Sequence, residues 1–253
     1  MIASMIFFPE KELYEKPEDY QYSYEEVWID SGEGIKLHAW FLKPAGQAKA
    51  QIILYSHGNA GNMSGRLSKA KGWLDEGYSV MLYDYRGYGK STGKMEKGGD
   101  IVRDAQAAFQ WLEQAKDISP RNIILYGESL GSYVSVSLAV QYTVFALILE
   151  APFTSFSELA AIHYPMFPKI MVQTMLKDFE FSNENQISQI KCPVFILHGT
   201  QDETCPYEMA ERLFEKAPES KSFFTVEGGH HNDLPIAAGP DYWQKPLEFL
   251  TRL

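Results

Sequence analysis

Cysteine is scarce in this 253-residue chain: only Cys192 and Cys205 occur. Two cysteines do not make a disulfide framework, which points to a reducing compartment and a cytoplasmic location. Positive charge is in deficit too. Lysine and arginine total 23 against 33 acidic residues, a formal charge of −10. That argues against nucleic acid or an anionic membrane as the main partner, since both require a basic surface. No apolar run approaches the roughly 20 residues of a spanning helix, so stable membrane insertion is not expected. Met1 to Phe8 is apolar, but it is short and lacks a basic lead and a convincing cleavage site. It is expected to pack on the domain surface; the alternative is a peripheral membrane contact through the N-terminus. Repeats, low-complexity tracts and linkers are also missing. One domain over residues 1–253 is therefore expected, long enough for a sizeable core.

What is present is an alternation of strands and helices. Tyr24 to Asp30 and Ile35 to Leu42 read as a hairpin across Ser31-Gly32-Glu33-Gly34. Buried strands follow at Gln51–Ser56, Ser79–Asp84, Ile123–Tyr126, Phe145–Glu150, Pro193–His198 and Ser222–Val226. Helices are expected at Ser64–Glu76, Asp100–Gln114, after Ser129, at Tyr207–Lys216 and at Tyr242–Leu253. This rhythm predicts an α/β fold with a mostly parallel sheet of about eight strands and helices on both faces. The rhythm breaks between about 153 and 190, a proline-containing stretch that reads as a short helical cap insertion.

The chain is organised around Ile123-Ile124-Leu125-Tyr126-Gly127-Glu128-Ser129-Leu130-Gly131. An apolar strand runs into Gly-x-Ser-x-Gly and then into a helical run. Ser129 would sit at the tip of a strained strand-to-helix turn, with its hydroxyl exposed. Gly127 and Gly131 permit the turn because neither carries a Cβ.

A serine hydroxyl needs a base to take its proton and an acid to orient that base. Sites in parallel sheets lie at the carboxyl ends of the strands, and both partners are available there. Asp202 follows the strand ending at His198, with Glu203 as an adjacent competitor that chain order disfavours. The base lies in Gly228-Gly229-His230-His231-Asn232-Asp233, where spacing alone leaves His230 and His231 open. Two adjacent histidines rarely chelate one ion, so no metal is expected, and no cofactor. Attack on a carbonyl creates an oxyanion whose donors contribute typically ~3–4 kcal/mol each. One donor is the Leu130 N–H, at the start of its helix. The other is assigned to the Asn59 N–H, with Ala60 second, in the loop His57-Gly58-Asn59-Ala60-Gly61-Asn62. His57 and His198 take structural readings, Glu150 reads as a buried hydrogen-bonded partner, and Asp84 with Arg86 as an ion pair or turn support.

Taken together, the residues resemble the α/β-hydrolase superfamily of serine hydrolases along nearly the whole chain. The carriers are Ser-His-Gly-Asn-Ala-Gly-Asn at 56–62, Asp-Tyr-Arg-Gly-Tyr-Gly at 84–89, Gly-x-Ser-Leu-Gly at 127–131, Pro-Phe-Thr-Ser at 152–155, His-Gly-Thr-x-Asp-Glu at 198–203 and His-Asn-Asp at 231–233. The resemblance implies that the base is the histidine before Asn-Asp, which is His231. It also implies hydrolysis of carboxylic esters or thioesters. Some animal relatives remove palmitate from cysteine. Many of these carry an N-terminal anchor or a lipidated cysteine-rich end that this sequence does not show, so that activity stands as an alternative.

The expected mechanism is attack by Ser129, proton transfer through His231, orientation by Asp202 and oxyanion binding by Asn59 and Leu130. The expected substrate is a small molecule or an acyl group. Phe153, Phe156, Tyr164, Met166, Phe167 and Met171 would wall the acyl chain, or would merely seal the core. Alternatives are a small-peptide hydrolase and a catalytically idle binding module. Monomer and homodimer both remain open.

Overall fold

The computed structural model describes residues 3–253, apart from the side chains of Lys169 and Gln173. Its main sheet is built from β1 (Ser23–Asp30), β2 (Lys36–Lys43), β3 (Ile52–Ser56), β4 (Ser79–Tyr83), β5 (Ile123–Glu128), β6 (Ala146–Glu150), β7 (Val194–Gly199) and β8 (Lys221–Val226). Their spatial order is β8-β7-β6-β5-β3-β4-β2-β1. β1 and β2 pair antiparallel, as do β2 and β4; every other neighbouring pair is parallel. The hairpin turns on Gly32 and Gly34, both at positive φ.

β3 to β7 are buried at every position. A strand covered on both faces needs apolar residues in both registers, which is why these segments read as continuous apolar runs. Alternate side chains then serve opposite cores. Leu54 and Leu125 pack with one cluster, which includes Ala105, Phe109 and Leu112 of α2 (Gly99–Lys116) and Val134 and Leu138 of α3 (Leu130–Gln141). Ile53 and Ile124 pack with the other, against Leu67 and Trp73 of α1 (Leu67–Asp75) and Phe249 of α8 (Asp241–Thr251). Helices therefore cover both faces of the sheet, as the sequence rhythm predicts.

Between β6 and β7 lie α4 (Phe156–His163), α5 (Lys169–Met175) and two single-turn helices. α6 (Tyr207–Lys216) and α7 (Leu234–Ala238) follow β7 and β8. α7 was not expected from the sequence, although Pro235 in its first turn is a helix-start signal. The N-terminal apolar stretch packs on the body, with Ile6 and Phe7 buried and Phe8–Pro9 paired in parallel with Ala60–Gly61. Met1 and Ile2 lie outside the described residues. Among the described residues, no helix is long and apolar enough to cross a membrane.

One feature of the strand order places the chemistry. The chain adds β4 on one side of β3 and then crosses to β5 on the other. β3 and β5 are direct neighbours, with Ser56 opposite Gly127. The loop after β3 and the turn after β5 thus emerge side by side at this switch point.

Candidate active site

Ser129 stands between β5 and α3 with φ 51° and ψ −114°. A side chain at this positive φ costs on the order of 1–3 kcal/mol and persists only where the surroundings enforce it. Here they do. The Ser129 N–H donates to the Glu150 carbonyl at 2.9 Å, tying the turn to β6. A Cβ on Gly131 would lie 1.9 Å from the Ser56 carbonyl oxygen, and one on Gly127 would lie 2.5 Å from the Gly131 carbonyl oxygen. Both glycines are needed because the helix start is pressed against β3 and against the limb of its own turn.

The other two predicted side chains arrive from β7 and β8. Their loops are stitched together by Thr200 N–H to Val226 O at 3.1 Å and Gln201 N–H to Gly229 O at 2.9 Å. This brings His231 Nε2 to 3.0 Å from Ser129 Oγ, and His231 Nδ1 to 2.7 Å from Asp202 Oδ2. Asp202 Oδ1 accepts the Thr204 and Cys205 N–H groups at 2.9 and 2.7 Å, and His198 Nε2 lies 3.2 Å from Oδ2. Burial alone would raise the Asp202 pKa. The hydrogen bonds from His198, His231 and the Cys205 N–H outweigh it and hold the carboxyl well below the usual carboxylate range.

His230 points elsewhere. Its Nδ1 pairs with the exposed Glu203 at 2.9 Å, and that hydrogen bond raises its pKa. Its own N–H donates to Asp233 Oδ1 at 2.7 Å, which shapes the loop that turns His231 inward. The Cys205 thiol also faces Ser129. Burial first, then the charge of Asp202, pushes its pKa up, so it remains a protonated thiol beside the hydroxyl.

The loop after β3 is held carbonyl by carbonyl. His57 O accepts from Tyr85 Oη at 2.9 Å, Gly58 O from His57 Nδ1 at 2.8 Å and Asn59 O from Tyr88 Oη at 2.8 Å. Ala60 O accepts from Arg66 Nη1 at 3.1 Å, and Gly61 O from the Glu10 N–H at 3.0 Å. In a trans peptide the C=O and the next N–H point in opposite directions. The imidazole that holds Gly58 O therefore also sets the direction of the Asn59 N–H, which gives His57 a structural role of the kind expected.

A family model described as serine aminopeptidase, S33 matches residues 47–183, more than half of the chain. The chain belongs to the α/β-hydrolases. This hydrolase is 35% identical over 226 residues to the uncharacterized protein Rv2307c of Mycobacterium tuberculosis, covering 89% of this chain and 79% of that one. It is 31% identical over 251 residues to the lysophosphatidylserine lipase ABHD12 of Danio rerio, covering 86% and 64%. Among solved structures, it superposes on the Pyrococcus furiosus esterase Pf2001 with a TM-score of 0.80 at 21% identity, covering 98% of each chain.

The expected acyl-wall residues of the hydrolase divide into two groups. Phe153 is buried in the core and Phe156 is half-buried, with ring centroids 6.1 Å apart. Tyr164, Met166, Phe167 and Met171 are exposed on the insertion, Met166 at 82%. Of the two expected readings of Asp84 with Arg86, turn support holds for Asp84, whereas the ion pair between them does not form. Arg86 turns to α2, where it pairs with Asp104 at 2.7 Å, while Asp84 accepts the Met63 N–H at 2.7 Å and supports the turn. Arg86 makes this choice because Asp104 offers both carboxylate oxygens to its guanidinium.

Two supports of the site go beyond the sequence reading, which expected only that the N-terminal stretch packs on the domain surface and that Glu150 is buried and hydrogen-bonded. One is the N-terminal segment, which lies along the β3 loop: Asn59 Nδ2 donates to Ile6 O at 2.6 Å, and Asn62 Nδ2 to Glu10 O and Glu12 O at 3.1 and 2.6 Å. The other is a buried ionic cluster beside the elbow. Glu128 meets Arg66 at 3.1 Å, Lys69 at 3.3 Å and Tyr55 Oη at 2.6 Å; Glu150 meets Lys69 at 2.8 Å, Tyr242 Oη at 2.8 Å and Tyr126 Oη. Burial opposes the Glu128 charge, but Arg66 and Lys69 prevail and hold its pKa below the usual range. A glutamate closing a fully apolar strand was the available signal, because a buried charge requires a partner.

Proposed function

We propose that this α/β-hydrolase is a serine hydrolase of carboxylic esters or thioesters that works through an acyl-enzyme. The observation that carries this reading is the run of contacts from Ser129 Oγ to His231 Nε2 at 3.0 Å and from His231 Nδ1 to Asp202 Oδ2 at 2.7 Å. Ser129 Oγ attacks the acyl carbon while His231 Nε2 takes its proton. Asp202 holds the ring and stabilises the imidazolium. The tetrahedral oxyanion is met by the N–H groups of Asn59 and Leu130. Collapse expels an alcohol or thiol, which leaves with the proton from His231. A water, deprotonated by the same nitrogen, then releases the acid and restores Ser129. Phe156, Tyr164, Met166, Phe167 and Met171 form the acyl-facing side, with Phe153 supporting them from the core.

The family description names an aminopeptidase, but an aminopeptidase site needs a carboxylate for a free amine. Glu128 and Glu150, two buried carboxylates beside the elbow, are engaged by Arg66 and Lys69, and Asp202 is engaged by His231. This favours an uncharged acyl substrate. The test is turnover of p-nitrophenyl esters of increasing acyl length by the native protein and by Ser129→Ala. A loss of at least about 10³-fold is expected. Equal turnover by both proteins would end the proposal.

A further inference from the structure

We infer that Arg66 is a positioning residue that holds the two halves of the oxyanion hole in register by bridging the β3 loop to the nucleophile elbow. The inference rests on the serine-hydrolase reading and deepens it. The two oxyanion donors lie on different segments. Asn59 belongs to the loop after β3, and Leu130 to the start of α3 after β5. Their separation must match one oxygen atom within a few tenths of an ångström, so something must fix one segment against the other.

Arg66 touches both. On one edge its Nη1 donates to Ala60 O at 3.1 Å and Asn62 O at 3.4 Å, two carbonyls downstream of Asn59 in the loop. On the other edge Nη2 donates to Glu128 Oε1 at 3.1 Å and Nε to Oε2 at 3.4 Å. Glu128 immediately precedes Ser129. The planar fork thus spans from one half of the hole to the other through a single rigid group.

A second observation places the bridge beside the Gly58 backbone. A Cβ added to Gly58 would lie 3.3 Å from Arg66 Nη2, 3.3 Å from Glu128 Oε1 and 3.6 Å from Ser129 Cβ. Gly58 supplies the carbonyl half of the peptide whose N–H is that of Asn59. The ion pair therefore packs beneath that peptide and beside the nucleophile.

The cluster is balanced, with Arg66 and Lys69 against Glu128 and Glu150. It is also a costly way to gain stability. Replacing a buried ion pair by apolar residues is often neutral or stabilising. Lys69 and three tyrosine hydroxyls already meet the two carboxylates. Neutralising Glu128 therefore does not by itself require a guanidinium that also reaches two loop carbonyls.

The test uses Arg66→Lys, which keeps the charge but cannot span both edges, and the Arg66→Met/Glu128→Gln double variant, which removes the pair without stranding a charge. For each, kcat and KM with p-nitrophenyl butyrate, the inhibition constant of an aryl boronic acid that forms a tetrahedral adduct, and the melting temperature are measured. The expected result is a kcat lower by about 10- to 100-fold, KM within about threefold, and boronate affinity weakened by the same factor as kcat, in a protein that still melts cooperatively. Unchanged kcat and boronate affinity in a folded variant overturn the inference, as does a loss of kcat with boronate affinity unchanged. If Arg66→Lys does not fold, the double variant decides. Labelling of the native protein by a fluorophosphonate separates the two levels. Failure to label Ser129 removes the serine-hydrolase reading itself, whereas labelled protein with an indifferent Arg66 removes only the bridge.

Discussion

Asp202 and His231 meet at 2.7 Å, and the aspartate does more than accept one hydrogen bond. Both its oxygens have partners: the Thr204 and Cys205 N–H groups on Oδ1, His231 and His198 on Oδ2. Four converging partners fix the carboxylate in the plane the imidazole needs and keep it ionised well below neutrality. Asp202→Asn presents an amide to His231 and favours the wrong tautomer, with kcat expected to drop on the order of 10⁴-fold. An active Asp202→Asn variant contradicts this.

The two adjacent histidines are expected to separate cleanly. His231→Ala removes the group 3.0 Å from Ser129 Oγ and lowers kcat by at least about 10³-fold. His230→Ala removes only an exposed partner of Glu203 and changes kcat by less than about threefold. Steady-state kinetics on both variants checks the assignment, and the reverse pattern refutes it.

Asn62 is fully buried and spends its whole side chain on the loop and the N-terminal segment. Nδ2 donates to Glu10 O and Glu12 O, and Oδ1 accepts from the Ser64 N–H and Oγ at 3.0 and 2.6 Å. Asn62→Ala leaves two carbonyls and two donors to find water or nothing. The expected destabilisation is about 2–4 kcal/mol by urea unfolding. Residues 3–12 should also become more susceptible to limited proteolysis. No change in either measurement rules out the clamp.

Stability should fall in two stages as pH drops. His38 is completely buried, and burial lowers its pKa below the usual 6.5 against the opposing hydrogen bond that its ring makes to Glu26. The unfolded chain then binds more protons at this position, so stability declines as pH falls below about 6.5. Asp202 and Glu128 have lowered folded pKa values, so their contribution is present above their usual 3.8 and 4.5 and is lost as pH falls through that range. Urea midpoints between pH 8 and 3 should show both stages, and His38→Gln should remove the first. A midpoint constant from pH 7.5 to 5 in the native protein contradicts the first stage.

The sheet was legible because its five central strands are buried at every position and so read as continuous apolar runs. Ile52–Ser56 and Ile123–Glu128 are apolar in both registers, and the hairpin ends in glycines. Glycines spaced around Ser129 likewise marked the elbow. His230 and His231 were indistinguishable by spacing because their choice depends on a loop shaped by Asp233, not on position along the chain. The partner of Arg86 lay on α2, beyond any local pattern. The N-terminal strap and the Arg66–Glu128 bridge are long-range contacts between main chain and side chains. No periodicity announces them, although Glu128 at the end of an apolar strand was a sign that a cation had to be near.

The proposed activation of Ser129 by His231 is tested most directly by intact-protein and peptide mass spectrometry after treatment with a fluorophosphonate probe. One adduct is expected, on Ser129, formed rapidly by the native protein, slowed by at least about 10³-fold in His231→Ala and absent in Ser129→Ala. No adduct on the native protein, an adduct on another residue, or equally fast labelling without His231 would contradict it.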